Sequence, residues 1–327
     1  MNWSGKRVLV TGAGGFIGSH LAERLVETGA QVRAMVHYNA LGTWGWLDQS
    51  SLRAEMEVVA GDIADRDIVR QAMQGVDLVF HLAALIAIPY SYHAPVSYVR
   101  TNIEGTLNVL QTARDLEVGR VVHTSTSEVY GTARTVPIDE THPLQGQSPY
   151  SASKIGADKL AEAFHLSFGL PVVTVRPFNT FGPRQSARAV IPTITTQCLT
   201  GQTIRLGNLH PTRDLNYVSN TVDGFLLAAS ADAAIGRTIN LGTGQEVSIG
   251  DLAHLIARLV DTPITLERDD QRIRPERSEV ERLLADITLA RTLLGYEPVV
   301  TLEEGLKRTI VWVQEHLERY RPGVYVL

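Results

Sequence analysis

The stretch VLVTGAGGFIGSHL, Val8 to Leu21, decides the fold. A β-branched run ends in Gly12, Gly15 and Gly18, and Ile17, Leu21 and Leu25 then recur at helical spacing as far as Gly29. This reads as a strand, a glycine turn and a helix. A pyrophosphate approaches backbone N–H groups at the positive end of a helix, and side chains at those glycines would block it. The turn follows a strand and opens a βαβ unit, which is the context a dinucleotide site requires.

Outward from this turn the chain alternates. QVRAMV (31–36), EMEVVAGD (55–62), VDLVFHLAA (76–84), GRVVHTST (119–126) and PVVTVRP (171–177) read as strands. DIVRQAM (67–73) and the segments 102–116 and 151–168 read as helices. Alternation at this spacing predicts an α/β fold, a Rossmann-type doubly wound parallel sheet covered on both faces. After Arg176 the rhythm changes. TINLGTG (238–244) reads as a buried strand returning to the sheet. Ser248 with Asp251, and Thr301 with Glu304, mark two later helix starts. The expected division is a dinucleotide-binding domain of 1–176 plus about 215–245. The expected smaller C-terminal substrate-binding domain is 177–214 with 246–327.

The chain has 327 residues, 44% of them apolar, and a net charge of −5, without the basic excess a nucleic-acid partner would need. Its one cysteine, Cys198, rules out a disulfide within the chain and reads as a packing residue. The longest apolar run, LVFHLAALIAIPY, is too short to span a membrane, and the amino terminus does not read as a signal peptide. A soluble cytoplasmic protein is expected, with no nucleic-acid or membrane partner and no metal.

SPYSASKIGADKL places Tyr150 and Lys154 four residues apart on one helix face. An ammonium beside a phenol lowers the phenol pKa, so this tyrosine is suited to take a proton from a hydroxyl while hydride leaves the same carbon. A nearby carboxylate needs a reason: HTSTSEVYG puts Glu128 at the end of a hydrophobic strand beside Ser125, Thr126 and Ser127. A charge there is costly unless paired or used. The second strand carries His37 and Tyr38 where an acidic residue would hold the ribose of NAD, Arg33 is expected to face solvent, and Asp62 is placed for an adenine amino group. NAD and NADP therefore both stay open.

TGAGGFIGSHL, GDIAD, HLAA, YSASK and RPFNTFGPRQ together resemble the extended short-chain dehydrogenase/reductases that act on nucleotide sugars, over nearly the whole chain. The resemblance implies a nicotinamide cofactor, NAD with NADP not excluded. It implies cofactor contacts from Gly12, Gly15, Phe16, Ile17, Gly18, His37, Asp62, Ile63, Leu82, Ala83, Ala84, Thr124, Tyr150, Lys154 and Pro177. It also implies a tyrosine that oxidises the sugar at C4. The triplet Thr126-Ser127-Glu128 resembles that of the 4,6-dehydratases, the GDP-mannose type above all. Glu128 is then the base at C5, Ser127 the acid or relay for the leaving 6-hydroxyl, and Thr126 a partner of the C4 oxygen. Asn179, Arg213 and Arg274 match family positions on the sugar and diphosphate side, with Arg184 and Arg188 as weaker candidates.

YNALGTWGWLD, TRDLNYV and RIRPERSEVERLLAD extend the resemblance to the dehydratases of bacterial legionaminic acid synthesis, which act on a GDP- or UDP-linked N-acetylglucosamine. Alternative readings are a nucleotide-sugar 4-epimerase, a UDP-glucuronate decarboxylase and, without catalysis, a dinucleotide-binding redox sensor. The resemblance further implies a homodimer through the helices near 102–116 and 151–168, both apolar on more than one face.

Overall fold

The computed structural model describes residues 1–320. β1 (Arg7–Thr11) leads through the glycine turn into α1 (Phe16–Glu27) and β2 (Gln31–Val36). β3 (Met56–Ala60), α2 (Arg66–Met73), β4 (Leu78–His81), β5 (Arg120–Thr124) and β6 (Val172–Pro177) follow. The last strand of the sheet is Thr238–Leu241. The seven strands lie in the order Thr238–Leu241, β6, β5, β4, β1, β2, β3, and every pair is parallel. This is the expected Rossmann-type doubly wound sheet. β4, β5 and β6 are buried at nearly every position, as strands covered on both faces must be.

The chain order reverses between β1 and β4, which opens a crevice at their carboxyl ends. Thr11, at the end of β1, ties the crevice shut below. Its hydroxyl accepts the N–H groups of Leu82 and Ala83, both at 3.1 Å, and meets His81 Nδ1 at 2.9 Å. Gly12 sits directly above with φ of +72°, and a Cβ there would lie 2.8 Å from the Ala83 nitrogen. At Gly18 a Cβ would come within 2.2 Å of the Gly12 carbonyl. These two positions exclude any other residue on geometry alone.

The helix carrying Tyr150 and Lys154 spans Pro149–Phe168 and begins two residues before its expected start. Ser148 caps it by accepting the Ser151 N–H, while the Ser151 hydroxyl accepts the Ser148 N–H. Pro149 at the first helical position suits that start. The expected helix from 102 is regular over Gly105–Asp115, with a wider turn over Val99–Glu104 before it. Ser248 and Thr301 cap helices Ile249–Val260 and Leu302–Glu315 as expected. Arg33 is partly exposed but does not stand free in solvent. It donates to Glu57 at 2.8 Å and to the carbonyls of Ala72 and Gln74, because β3 and the end of α2 pack beside it. Cys198 is buried, and burial raises its thiol to about 11, in keeping with a packing role.

Beyond the sheet, Asn179–Phe181 pairs in parallel with Leu215–Tyr217, Thr203–Leu206 with Thr265–Arg268, and Thr212–Arg213 lies between Val247–Ser248 and Arg282–Leu283. These short pairings stand over the carboxyl end of the main sheet and form the far wall of the crevice. Among the described residues no helix is long and apolar enough to cross a membrane.

Candidate active site

One cleft of about 970 Å³ runs from the glycine turn to the short strands. At one end is the first turn of α1. Gly15 caps that helix without a side-chain bond, so the N–H groups of the first turn face the cleft beside Gly12 and Gly18. An anionic pyrophosphate fits this end, since the donors and the absence of side chains both favour it. Phe16, Ile17, His37, Asp62, Ile63, Leu82, Ala83, Ala84, Thr124 and Pro177 line the same cleft. The sequence did not single out Trp44 and Gly45, which line it too, because only the fold of segment 39–50 brings them there.

The cleft's middle holds Thr126, Ser127, Glu128, Tyr150 and Lys154. Thr126 caps the short turn Ser127–Tyr130, its hydroxyl accepting the Glu128 N–H at 3.2 Å. That turn lifts Glu128 off the end of β5. Glu128 is 9% exposed, and its carboxylate accepts no hydrogen bond from the described residues. Its charge acts on Tyr150 on one side and on Arg213 on the other.

Burial pushes the Tyr150 phenol well above its ordinary value, and the Glu128, Tyr98 and Asp158 charges add to that. The Thr126 hydroxyl opposes it by hydrogen bonding to the phenol oxygen. The expected lysine-lowered phenol is therefore not the resting state, because burial is the larger effect. Lys154 Nζ donates to the Thr124 carbonyl at 2.6 Å. Its ammonium is pulled down to about 8 by burial, with the Asp158 charge opposing.

Beneath the pair lies a buried network that the sequence gave no sign of. Asp158 stands one turn beyond Lys154. It accepts from His123 Nε2 at 3.1 Å, from the Ser125 hydroxyl at 2.7 Å and from Arg176 Nη2 at 3.0 Å. Burial alone would raise this carboxyl, but His123, Arg176 and Lys154 outweigh it and bring it down to about 2. Asn102 fixes the opposite wall. Its side chain pairs with both backbone groups of Leu85 and donates to Ser153 at 2.9 Å.

At the far end, Asn179, Arg213 and Arg274 line the cleft. Among the described residues, Asn179 Oδ1 and Arg274 Nη1 are buried without a hydrogen-bond partner. Arg213 and Arg274 each lie 3.8 Å from Glu279, which also takes a bond from Asn208. Arg188 lines the cleft as well. Arg184 does not. Both its Nη atoms are bonded to Glu23, at 2.8 and 2.9 Å, and Nη1 also donates to Ser19. With φ of +71° its backbone turns the side chain onto α1, away from the substrate side.

A family model, GDP-mannose 4,6 dehydratase, matches residues 9–309. A UDP-glucose 4-epimerase of Mycolicibacterium smegmatis is 34% identical, over 93% of this chain and 97% of its own. A UDP-glucuronic acid decarboxylase 1 of Xenopus tropicalis is 31% identical, over 98% of this chain and 75% of its own. The crystal structure of a dTDP-glucose 4,6-dehydratase of Streptomyces venezuelae, with NAD bound, superposes with a TM-score of 0.87 at 30% identity, covering 96% and 99% of the two chains. The chain thus belongs to the GDP-mannose 4,6 dehydratase family, within the extended short-chain dehydrogenases that comprise nucleotide-sugar dehydratases and epimerases.

The Lys154 shift has a signed consequence. The ammonium is present below about 8 and lost above it. Turnover is expected to fall as pH rises through that value. Between about 8 and 10.5 the unfolded chain binds more protons at this residue, so its contribution to stability rises with pH over the same window. Rate and urea-midpoint profiles of the wild type and Lys154→Met check both signs. An unchanged rate profile in the variant removes Lys154 from the reaction.

Proposed function

We propose that this protein is a nucleotide-sugar 4,6-dehydratase that uses NAD and regenerates it in each turnover. The observation that carries the reading is the Glu128 carboxylate, buried, without a hydrogen bond from the described residues, and in the same cleft as Tyr150. A reaction that only removes and returns hydride at C4 has no use for it. Proton abstraction at C5 does.

When bound, NAD supplies a reversible two-electron acceptor that takes hydride from C4 and gives it back at C6. The first turn of α1 with Gly12, Gly15 and Gly18 holds its pyrophosphate. Phe16, Ile17, His37, Asp62, Ile63, Leu82, Ala83, Ala84, Thr124 and Pro177 enclose the rest. Tyr150, once ionised, takes the proton of the C4 hydroxyl. The Thr126 hydroxyl donates to the phenolate oxygen and then to the new C4 carbonyl, and the Lys154 charge favours that ionisation. With C4 a ketone, the C5 proton is acidic and Glu128 removes it. Ser127 relays to the 6-hydroxyl the proton that Tyr150 took from C4, so the hydroxyl leaves as water and Tyr150 is again ionised. Glu128 returns its proton to C5 once C6 has received hydride. The sum is loss of one water, with C4 oxidised and C6 reduced.

Arg213 and Arg274 neutralise the diphosphate, and Asn179 donates to the sugar or phosphate. Residues 1–176 and about 215–245 serve the dinucleotide, and 177–214 with 246–327 serve the sugar nucleotide. A GDP- or UDP-linked N-acetylglucosamine is the substrate class that the resemblance to legionaminic acid dehydratases favours. The single buried cysteine suits a cytoplasmic setting. Exposed Val96 and Val99, next to helix Gly105–Asp115, support a homodimer through that helix and Pro149–Phe168.

Glu128→Gln is expected to lower dehydration by about a thousand-fold, the scale of a lost general base, while nicotinamide absorbance still reports partial reduction. Tyr150→Phe is expected to abolish that reduction as well. Normal turnover in Glu128→Gln removes the base from its role, and normal reduction in Tyr150→Phe moves the C4 base elsewhere. Light scattering at micromolar concentration is expected to give twice the chain mass, and a monomer overturns the dimer.

A further inference from the structure

Outside the cleft, segments far apart in sequence meet on the outer face of α1. Segment 44–50 lies across the glycine turn. The Trp46 N–H donates to the Gly14 carbonyl at 3.0 Å. Gly45, at φ of +66°, approaches so closely that a Cβ would sit 2.3 Å from that same oxygen. Thr43, Trp44 and Gly45 form the wall of the cleft beside the turn. A dinucleotide seated there leaves only if this segment lifts.

The segment is held from outside. Trp312, on helix Leu302–Glu315, meets the Trp46 ring edge-on at 5.9 Å. The Arg184 guanidinium stands 5.9 Å from the centre of the Trp312 ring. Arg184 also grips Glu23 on α1 through both Nη atoms. Burial would raise the Glu23 carboxyl, but Arg184 and the hydroxyl of Ser50 outweigh it, so Glu23 stays charged. The carboxylate that anchors Arg184 thus also lies near Ser50, at the end of segment 44–50. The ion pair is half shielded, with side-chain exposures of 12% and 18%, which makes it stronger than a surface pair.

We propose that Trp46, Trp312, Arg184 and Glu23 form a latch that keeps segment 44–50 closed over the bound dinucleotide and sets how fast it leaves. The inference rests on the cleft being the NAD site. None of the four side chains lines the cleft, so they are positioning residues. A protein that regenerates its dinucleotide in every turnover has no need to release it, and slow release keeps reduced and oxidised forms from exchanging between half-reactions. Lifting the segment breaks the Trp46–Gly14 bond and parts Trp46 from Trp312 together, so weakening the second contact speeds the first.

The full-length protein is stripped of nucleotide and reloaded with NAD. Its release is then timed by chase with isotope-labelled NAD, in the wild type, Trp312→Ala, Arg184→Met and the milder Trp46→Phe. Release about ten-fold faster is expected in the first two variants, as for loss of one aromatic or half-buried ionic contact. Melting temperature and turnover at saturating NAD are expected to stay near wild type. Unchanged release in all three variants overturns the latch and leaves the dehydratase reading intact. A wild type that binds no NAD overturns the cofactor reading itself, and the latch with it.

Discussion

The site depends on one buried carboxylate. Asp158 stands on the helix of Tyr150 and Lys154 and accepts bonds from His123 on β5, from Ser125 just beyond it and from Arg176 on β6. The segment from Thr124 to Glu128 leaves the end of β5, so Asp158 sets the distance between the phenol and the second carboxylate. It also supplies a negative charge that resists the loss of the Lys154 proton. The arrangement is costly to disturb. Removing one member of a buried charged network leaves the others unpaired, at about 3–5 kcal/mol. Fixed placement of this kind is what acid–base chemistry in a shielded cleft requires.

The electrostatics divide the cleft into regions. At the α1 end, backbone donors and absent side chains favour an anion. In the middle, burial raises the phenol and lowers the ammonium, so both lie closer to neutral forms than in water. At the far end, Arg213 is lowered by burial, with Glu128 and Glu279 opposing. Two arginines sharing one glutamate leave donors for a second anion. Two ligands, each with its own phosphates at one end of the cleft and their uncharged portions meeting in the middle, complement this order.

Much of this was legible in the sequence because local physics writes it there. The glycine turn, the strand–helix alternation and the caps at Ser248 and Thr301 each depend on neighbours in the chain. Tyr150 and Lys154 share a face by helical periodicity alone, and Glu128 drew notice as a charge at an apolar strand end. What was not legible depends on distant packing. Arg184 looks like any arginine near a cleft, and only the positive φ that aims it at Glu23 takes it away from the substrate. Arg33 looked solvent-facing because the carbonyls of Ala72 and Gln74 lie far along the chain. The Asp158 network and the Trp46–Trp312 contact join residues from separate elements and leave no periodic trace. The Tyr150 phenol departs from expectation for a related reason, since its burial is a property of the whole cleft.

The role proposed for Glu128 adds a second step to oxidation at C4, and the product's mass reads that step directly. The purified protein would be incubated with GDP-N-acetylglucosamine, its UDP counterpart and UDP-glucuronate, and the products weighed by mass spectrometry. Loss of one water from an N-acetylglucosamine nucleotide is expected, and the nucleotide that reacts names the base. Loss of carbon dioxide from the glucuronate, or a product of unchanged mass from every substrate, would contradict Glu128 as the base of a dehydration.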